Sequence, residues 1–232
     1  MDILTKIEKT TKIPVYFMPG LAAGSTIFER IDLPKDEFDC YLLDWFMPIK
    51  EESIADYAKK MAQLVVHKNA VLIGVSFGGI LVQEMARFLQ LKNLIIISSI
   101  KSNTELPQHM KIAKVTKAYK ILPTGLLENV EVLAKYAFGN TLKQRFKLYE
   151  RYLKMKDKTY LDWAIKQVVC WNREVADPKV IHIHGDADDV FPVKNISEYI
   201  TVKGGTHMMI INRFRWFNEH LPLIIRSNNY EN

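Results

Sequence analysis

The chain has 232 residues, 48% hydrophobic and 25% charged, an ordinary globular composition with room for one domain plus an insertion. No stretch approaches the ~20 consecutive apolar residues of a bilayer span, which argues against a transmembrane segment. The net charge of +6 is uneven: Asn103 to Ala176 holds 14 Lys and Arg against 7 Asp and Glu, and the rest 18 against 19, with no nucleic-acid motif to go with the excess.

The N-terminus, MDILTKIEKTTKIPVYF, mixes charges with its apolar residues and lacks the apolar core of a signal peptide. Short runs rich in branched residues then read as buried parallel strands. They are IPVYFM (Ile13–Met18), CYLLDW (Cys40–Trp45), AVLIGV (Ala70–Val75), LIIISS (Leu94–Ser99) and VIHIHG (Val180–Gly185). A sixth, YITVKG (Tyr199–Gly204), is more polar and suits a sheet edge. Ser53 to Val66 sets Ile54, Tyr57, Met61 and Leu64 on one helix face, with Ser53 and Asp56 as a capping box. Ile80 to Leu91 is apolar nearly all round and should be a helix buried against the sheet. Ile211 to Ile225 is amphipathic, with Pro222 disturbing its end. This alternation predicts an α/β fold, a mostly parallel sheet of about six strands with helices on both faces.

Asn103 to Trp171 breaks the alternation. Ile112, Val115, Tyr119 and Leu122 have helix spacing, with Lys111, Lys114, Lys117 and Lys120 on the remaining surface. Leu126 to Tyr136, Leu142 to Met155 and Tyr160 to Trp171 are three further helix candidates. The expected organisation is a core of residues 1–102 and 177–232 with an inserted helical cap at 103–176. Its aromatic residues should pack the cap helices together, with a few facing a pocket over Ser76. Cys40 and Cys170 fit no metal or redox spacing, so two buried free thiols, a reducing compartment and a cytoplasmic location are expected.

The chemistry concentrates at GVSFGG, Gly74 to Gly79. A strand turning abruptly into a helix projects the middle side chain, Ser76, away from the sheet, and flanking glycines remove the collisions such a turn creates. The site lies at the carboxyl end of a central strand, where open α/β sheets place ligands. The following helix aims its positive end and free N–H groups at the same point, the Phe77 N–H among them. A serine hydroxyl there needs a base to take its proton, and the base needs an acceptor to orient it. VIHIHGDADDVFP supplies Asp186, Asp188 and Asp189 just past a strand, and VKGGTHMMI supplies His207 after the next one. The order Ser, Asp, His suits this geometry.

With these stretches the chain resembles the α/β-hydrolase superfamily over nearly its whole length, strongly at GVSFGG, HGDADDVFP and GGTH and weakly in the cap. The resemblance implies a small serine hydrolase with the α/β-hydrolase fold. The family pattern H-G-x-x-D-x-x-x-P falls on His184, Gly185, Asp188 and Pro192. This selects Asp188 as the acid over its main rival Asp186, and leaves Asp186 and Asp189 to cap a helix near Pro192. The loop FMPGLAAGS matches the family's oxyanion loop, with Pro19 where many members have histidine, and implies Leu21 N–H as the partner of Phe77 N–H. The expected reaction cleaves a carboxylic ester or thioester through an acyl-enzyme. The substrate is a small acyl compound, and the basic cap could recruit an acidic acyl carrier. No metal or organic cofactor is called for.

Two other readings compete. His182, His184 and Asp186 have the H-x-H-x-D spacing of a metal-dependent hydrolase, although Ala187 stands where that pattern continues with histidine. A hydrolase fold can also serve as a ligand receptor or scaffold with little turnover.

Overall fold

The computed structural model describes residues 12–120 and 151–227. Six strands form one all-parallel sheet: β1 (Ile13–Met18), β2 (Phe38–Leu42), β3 (Ala70–Val75), β4 (Leu91–Ile97), β5 (Val180–Gly185) and β6 (Ile200–Val202). Their order is β2-β1-β3-β4-β5-β6, so the two shortest strands are the edges. Every residue of β3 is buried, which is why AVLIGV shows no polar alternation. Two helices pack against each other beside the central strands, α1 (Ile54–Ala62) and α2 (Phe77–Met85). α3 (Gln108–Thr116) and α4 (Lys158–Cys170) come from the basic segment, and α5 (Met209–Asn212) and α6 (Phe214–Arg226) close the described chain. Among the described residues no helix is long and apolar enough to cross a membrane.

β1, β3 and β5 have the predicted bounds; other elements differ for identifiable reasons. β2 ends at Leu42, because the Asp44 carboxylate leaves to accept from Ser25 N (2.6 Å) and Ser25 Oγ (3.0 Å). Trp45 also leaves the sheet and stacks on Phe77, ring centroids 4.9 Å apart. α2 stops at Met85, a 3-10 turn covers Ala86–Phe88, and Leu91, expected in the helix, opens β4. α1 is capped as expected: Ser53 Oγ accepts from Asp56 N at 3.1 Å. Leu64, placed on its apolar face, lies beyond its end and is exposed. Pro222 sits inside α6 without ending it, where Leu221, Pro222, Ile224 and Ile225 are all buried. The cysteines are not buried: Cys40 faces solvent on the alternating edge strand β2, and Cys170 is partly exposed.

In the basic segment, α3 stops before Tyr119, with Lys117 left-handed at φ 57, and Ile112 and Val115 are exposed rather than packed. α4 matches the candidate at Tyr160 to Trp171, and Asp157 caps it by accepting from Thr159 N and Tyr160 N. Leu122, Leu126 to Tyr136 and residues 142–150 lie outside the described residues. Residues 151–155, assigned to a helix, form a turn and an antiparallel bridge of Leu153 to Ala23. Lys154 N and Met155 N donate to Ala22 O, and Gly24 N to Tyr152 O. The segment is also pinned to the core by Trp163 Nε1 on Glu52 O (2.8 Å) and by Trp171 Nε1 and Arg173 on the Glu84 carboxylate of α2.

Candidate active site

β3 ends at Val75 and α2 begins at Phe77, so Ser76 alone makes the turn. Its backbone lies at φ 53, ψ −120, a conformation that costs a non-glycine residue roughly 1–3 kcal/mol. Surrounding contacts hold it there. Ser76 N donates to Ile97 O (2.9 Å), while Ser76 O accepts from Gly79 N (2.8 Å) and from Ser99 Oγ (2.7 Å). A β-carbon at Gly74 would lie 2.4 Å from Gly78 O, and one at Gly78 would lie 2.4 Å from Pro19 O. The turn therefore closes only if both positions lack a side chain, and it brings the loop after β1 against the serine.

Three distant loops meet at this serine. His207, between β6 and α5, points Nε2 at Ser76 Oγ from 2.9 Å and Nδ1 at Asp188, 2.9 Å from Oδ2 and 3.1 Å from Oδ1. An ionised carboxylate only accepts, so Nδ1 carries the ring proton and Nε2 offers its lone pair to the hydroxyl. Asp188 Oδ1 also accepts from Val190 N and Phe191 N, each at 2.9 Å. Burial alone would raise the Asp188 pKa, but the adjacent His207, the His184 ring and the Phe191 amide outweigh it and hold the carboxyl below its usual value. Asp188 and His207 are both buried, whereas Ser76 is partly exposed. Asp186 turns away and accepts from Gly204 N at 2.6 Å. It does not cap the 3-10 turn Val193–Asn195, which has no side-chain cap.

Leu21 and Phe77 flank the serine at the floor of a cavity of about 230 Å³. Neither backbone amide has an acceptor among the described residues. Trp45 steadies both places: its ring stacks on Phe77, and its Nε1 donates to Gly20 O at 2.8 Å. Ala22 N donates to Tyr160 Oη at 3.3 Å, tying the same loop to α4. The cavity wall is apolar, built from Met110 and Ala113 of α3, Ile165, Val168 and Val169 of α4, and Phe191. His109 and Tyr119 are its polar-tipped members. Met208 borders a small crevice beside Ser76 and His207, and Met209 is buried in the core. Among the aromatic residues of the basic segment, Tyr160 and Trp163 pack on Trp45, Tyr57 and Phe77. Tyr136, Phe138, Phe146 and Tyr149 lie outside the described residues.

Sequence reasoning missed Trp45 and Tyr160 as supports of the β1 loop. Trp45 carried one signal, an aromatic residue at the carboxyl end of a strand, where the fold places ligands. The H-x-H-x-D residues do not converge on a common point. His182 Nε2 meets His184 Nδ1 at 3.0 Å, His184 Nε2 meets Phe191 O at 2.8 Å, and Asp186 is engaged by Gly204. Among the described residues no group of three or more His, Cys, Asp or Glu side chains is placed to hold a metal.

No protein-family model matches the chain, and no curated protein sequence matches it. Solved structures do. A thermophilic esterase from Thermogutta terrifontis superposes with a TM-score of 0.71 over 95% of this chain and 92% of its own, at 14% identity. A putative non-heme bromoperoxidase, BpoC, from Mycobacterium tuberculosis H37Rv gives 0.66 over 95% and 94%, at 14% identity. An esterase from Exiguobacterium antarcticum gives 0.67 over 94% and 93%, also at 14% identity. The chain has the α/β-hydrolase fold.

Proposed function

We propose that the chain is a serine hydrolase that cleaves carboxylic esters or thioesters through an acyl-enzyme. The observation that carries this reading is the continuous hydrogen-bonded series Ser76–His207–Asp188, whose serine lines an apolar cavity. Neighbours of the same fold that are named esterases support it. In this reading His207 Nε2 takes the Ser76 proton as Oγ attacks the carbonyl carbon. Asp188 holds the ring tautomer and stabilises the imidazolium. The Leu21 and Phe77 N–H groups receive the oxyanion, each worth roughly 3 kcal/mol of barrier. The imidazolium gives its proton to the departing alcohol or thiol. Water, activated by the same ring, then releases the acid and restores the serine.

The cavity limits the apolar part of the substrate. Its volume of about 230 Å³ is that of a small-molecule pocket, not of a long lipid tunnel. A short-to-medium acyl chain fits, and the apolar wall disfavours a charge within it. Residues 103–176 act in this reading as a cap over the cavity, and their basic excess would speed encounter with an acidic acyl carrier.

A fluorophosphonate probe should label Ser76, and Ser76→Ala should abolish the label. His207→Ala should remove nearly all ester turnover from a protein that still folds. A folded native protein that neither labels nor turns over ends this reading.

A further inference from the structure

Behind the Asp188 carboxylate lie two histidines that the hydrolytic scheme leaves unused. His182 and His184 alternate along β5 and share one face of the sheet, with relative exposures of 2% and 0%. His184 Nε2 is 2.8 Å from Phe191 O, which can only accept, so Nε2 carries a proton. Burial is the main cause that lowers the pKa of both rings, so both are neutral near pH 7. A neutral imidazole has a single ring proton, which leaves His184 Nδ1 bare. His182 Nε2, 3.0 Å away, must then be the donor. His182 Nδ1 is left as a buried lone pair with no well-aligned hydrogen bond among the described residues, although the Ser99 backbone also lies against this ring. One backbone carbonyl thus orders two rings in series.

That carbonyl belongs to the loop that presents the acid. Phe191 N and Val190 N hold Asp188 Oδ1, while Phe191 O is held by His184. His184 Nε2 also lies 3.6 Å from Asp188 Oδ2, the oxygen that meets His207 Nδ1 at 2.9 Å. In the opposite tautomer, the His184 Nε2 lone pair would face two acceptors, Phe191 O and Asp188 Oδ2. Their mutual repulsion would push the loop, and the carboxylate with it, away from β5.

We infer that His184 is a positioning residue for Asp188, and that His182 keeps it in the tautomer this task requires. The catalytic consequence rests on the serine-hydrolase reading; the tautomer order does not. The charged or titratable groups acting on the pair are Lys101 at His182, and Glu105, Asp188 and His207 at His184. The Tyr199 ring lies 6.4 Å from His182 and 5.8 Å from His184.

The test uses the full chain. Nitrogen-15 NMR of the native protein at pH 7 should show both rings neutral, each with its proton on Nε2. His184→Leu should lower kcat at least tenfold with KM within twofold. It should also move the acid limb of kcat/KM to lower pH, because an imidazolium held less well by its carboxylate releases its proton more readily. His184→Gln, whose amide can donate to Phe191 O, should recover most of kcat, and His182→Phe should fall between. An Nδ1 proton on either native ring overturns the inference. So does a folded His184→Leu protein with native kcat and a native acid limb, or a Gln variant no better than Leu. A native protein with no ester turnover and no probe label sinks the hydrolase reading alone. The ring tautomers then still support or overturn the His182–His184 order.

Discussion

Replacing Gly78 by Ala would test whether close contact between the serine turn and the β1 loop sets the catalytic geometry. The added β-carbon would lie 2.4 Å from Pro19 O and 2.6 Å from Met18 O, where ordinary contact begins at 3.4 Å. Both obstacles are backbone atoms, so no side chain can rotate aside, and the strand end must retreat by about 1 Å. Overpacking of this size costs roughly 1–3 kcal/mol of stability. In the serine-hydrolase reading, the retreat also carries the Leu21 amide away from the oxyanion it is proposed to receive. Losing one such donor lowers kcat by roughly 100- to 1000-fold. Gly79→Ala perturbs a different contact: its β-carbon would lie 2.5 Å from Ser99 Oγ and 2.6 Å from Ser99 Cβ, so it displaces the serine whose hydroxyl holds Ser76 O and disturbs the turn itself rather than the β1 loop. The assay is kcat on a p-nitrophenyl ester beside a thermal melt for each variant. A folded Gly78→Ala protein with kcat within about threefold of native would refute the argument built on that contact.

Trp45→Phe keeps the stack on Phe77 but loses the hydrogen bond to Gly20 O. It should cost about 1 kcal/mol by denaturant titration and lower kcat several-fold, and an unchanged midpoint counts against the bond. Turnover of p-nitrophenyl esters should rise with acyl length, pass through an optimum and fall for long chains that the cavity cannot hold. Val169→Phe, on the α4 wall, should shift that optimum toward acetyl, and an optimum that stays put means the acyl group lies elsewhere. Stability should decline on acidification below pH 6.5. His182 and His184 are buried neutral with lowered pKa values, so the unfolded chain binds protons that the folded one does not. Each contributes up to about 1.4 kcal/mol per pH unit until its lowered value is reached, and Asp188 adds to the loss only below the ordinary carboxylate range. Urea midpoints at pH 7 and pH 5 check this, and equal midpoints would contradict it.

Legibility in the sequence followed the strength of local constraint. AVLIGV has its expected bounds because a strand buried on both faces leaves an unbroken apolar run with a turn residue after it. The meeting of Ser76, Asp188 and His207 is legible because each sits just past a strand end, and their side chains form one hydrogen-bonded series. Asp44 and Trp45 were misread as strand because an apolar run says nothing about where the chain leaves the sheet for a partner such as Ser25 or Phe77. The α3 face failed for a similar reason. Ile112 and Val115 keep helix period yet are exposed, and the left-handed Lys117 ends the helix before Tyr119. The ordering of His182 and His184 was not legible, since it depends on a carbonyl seven residues past the second ring.

Ser76, His207 and Asp188 are carried by unequal parts of the sheet. Ser76 hangs from fully buried β3, whereas His207 follows β6, a three-residue edge strand, and Asp188 sits in a crossover whose one regular element is the 3-10 turn Val193–Asn195. Edges with few buried neighbours open before centres do. Warming would therefore loosen Asp188 and His207 while Ser76 stays anchored, and a hydrolase that depends on all three would fall silent when most of its amides are still protected from exchange, and recover on cooling. An inactivation curve running several degrees below the global melt, and reversible, would be the thermal signature of this lopsided scaffold.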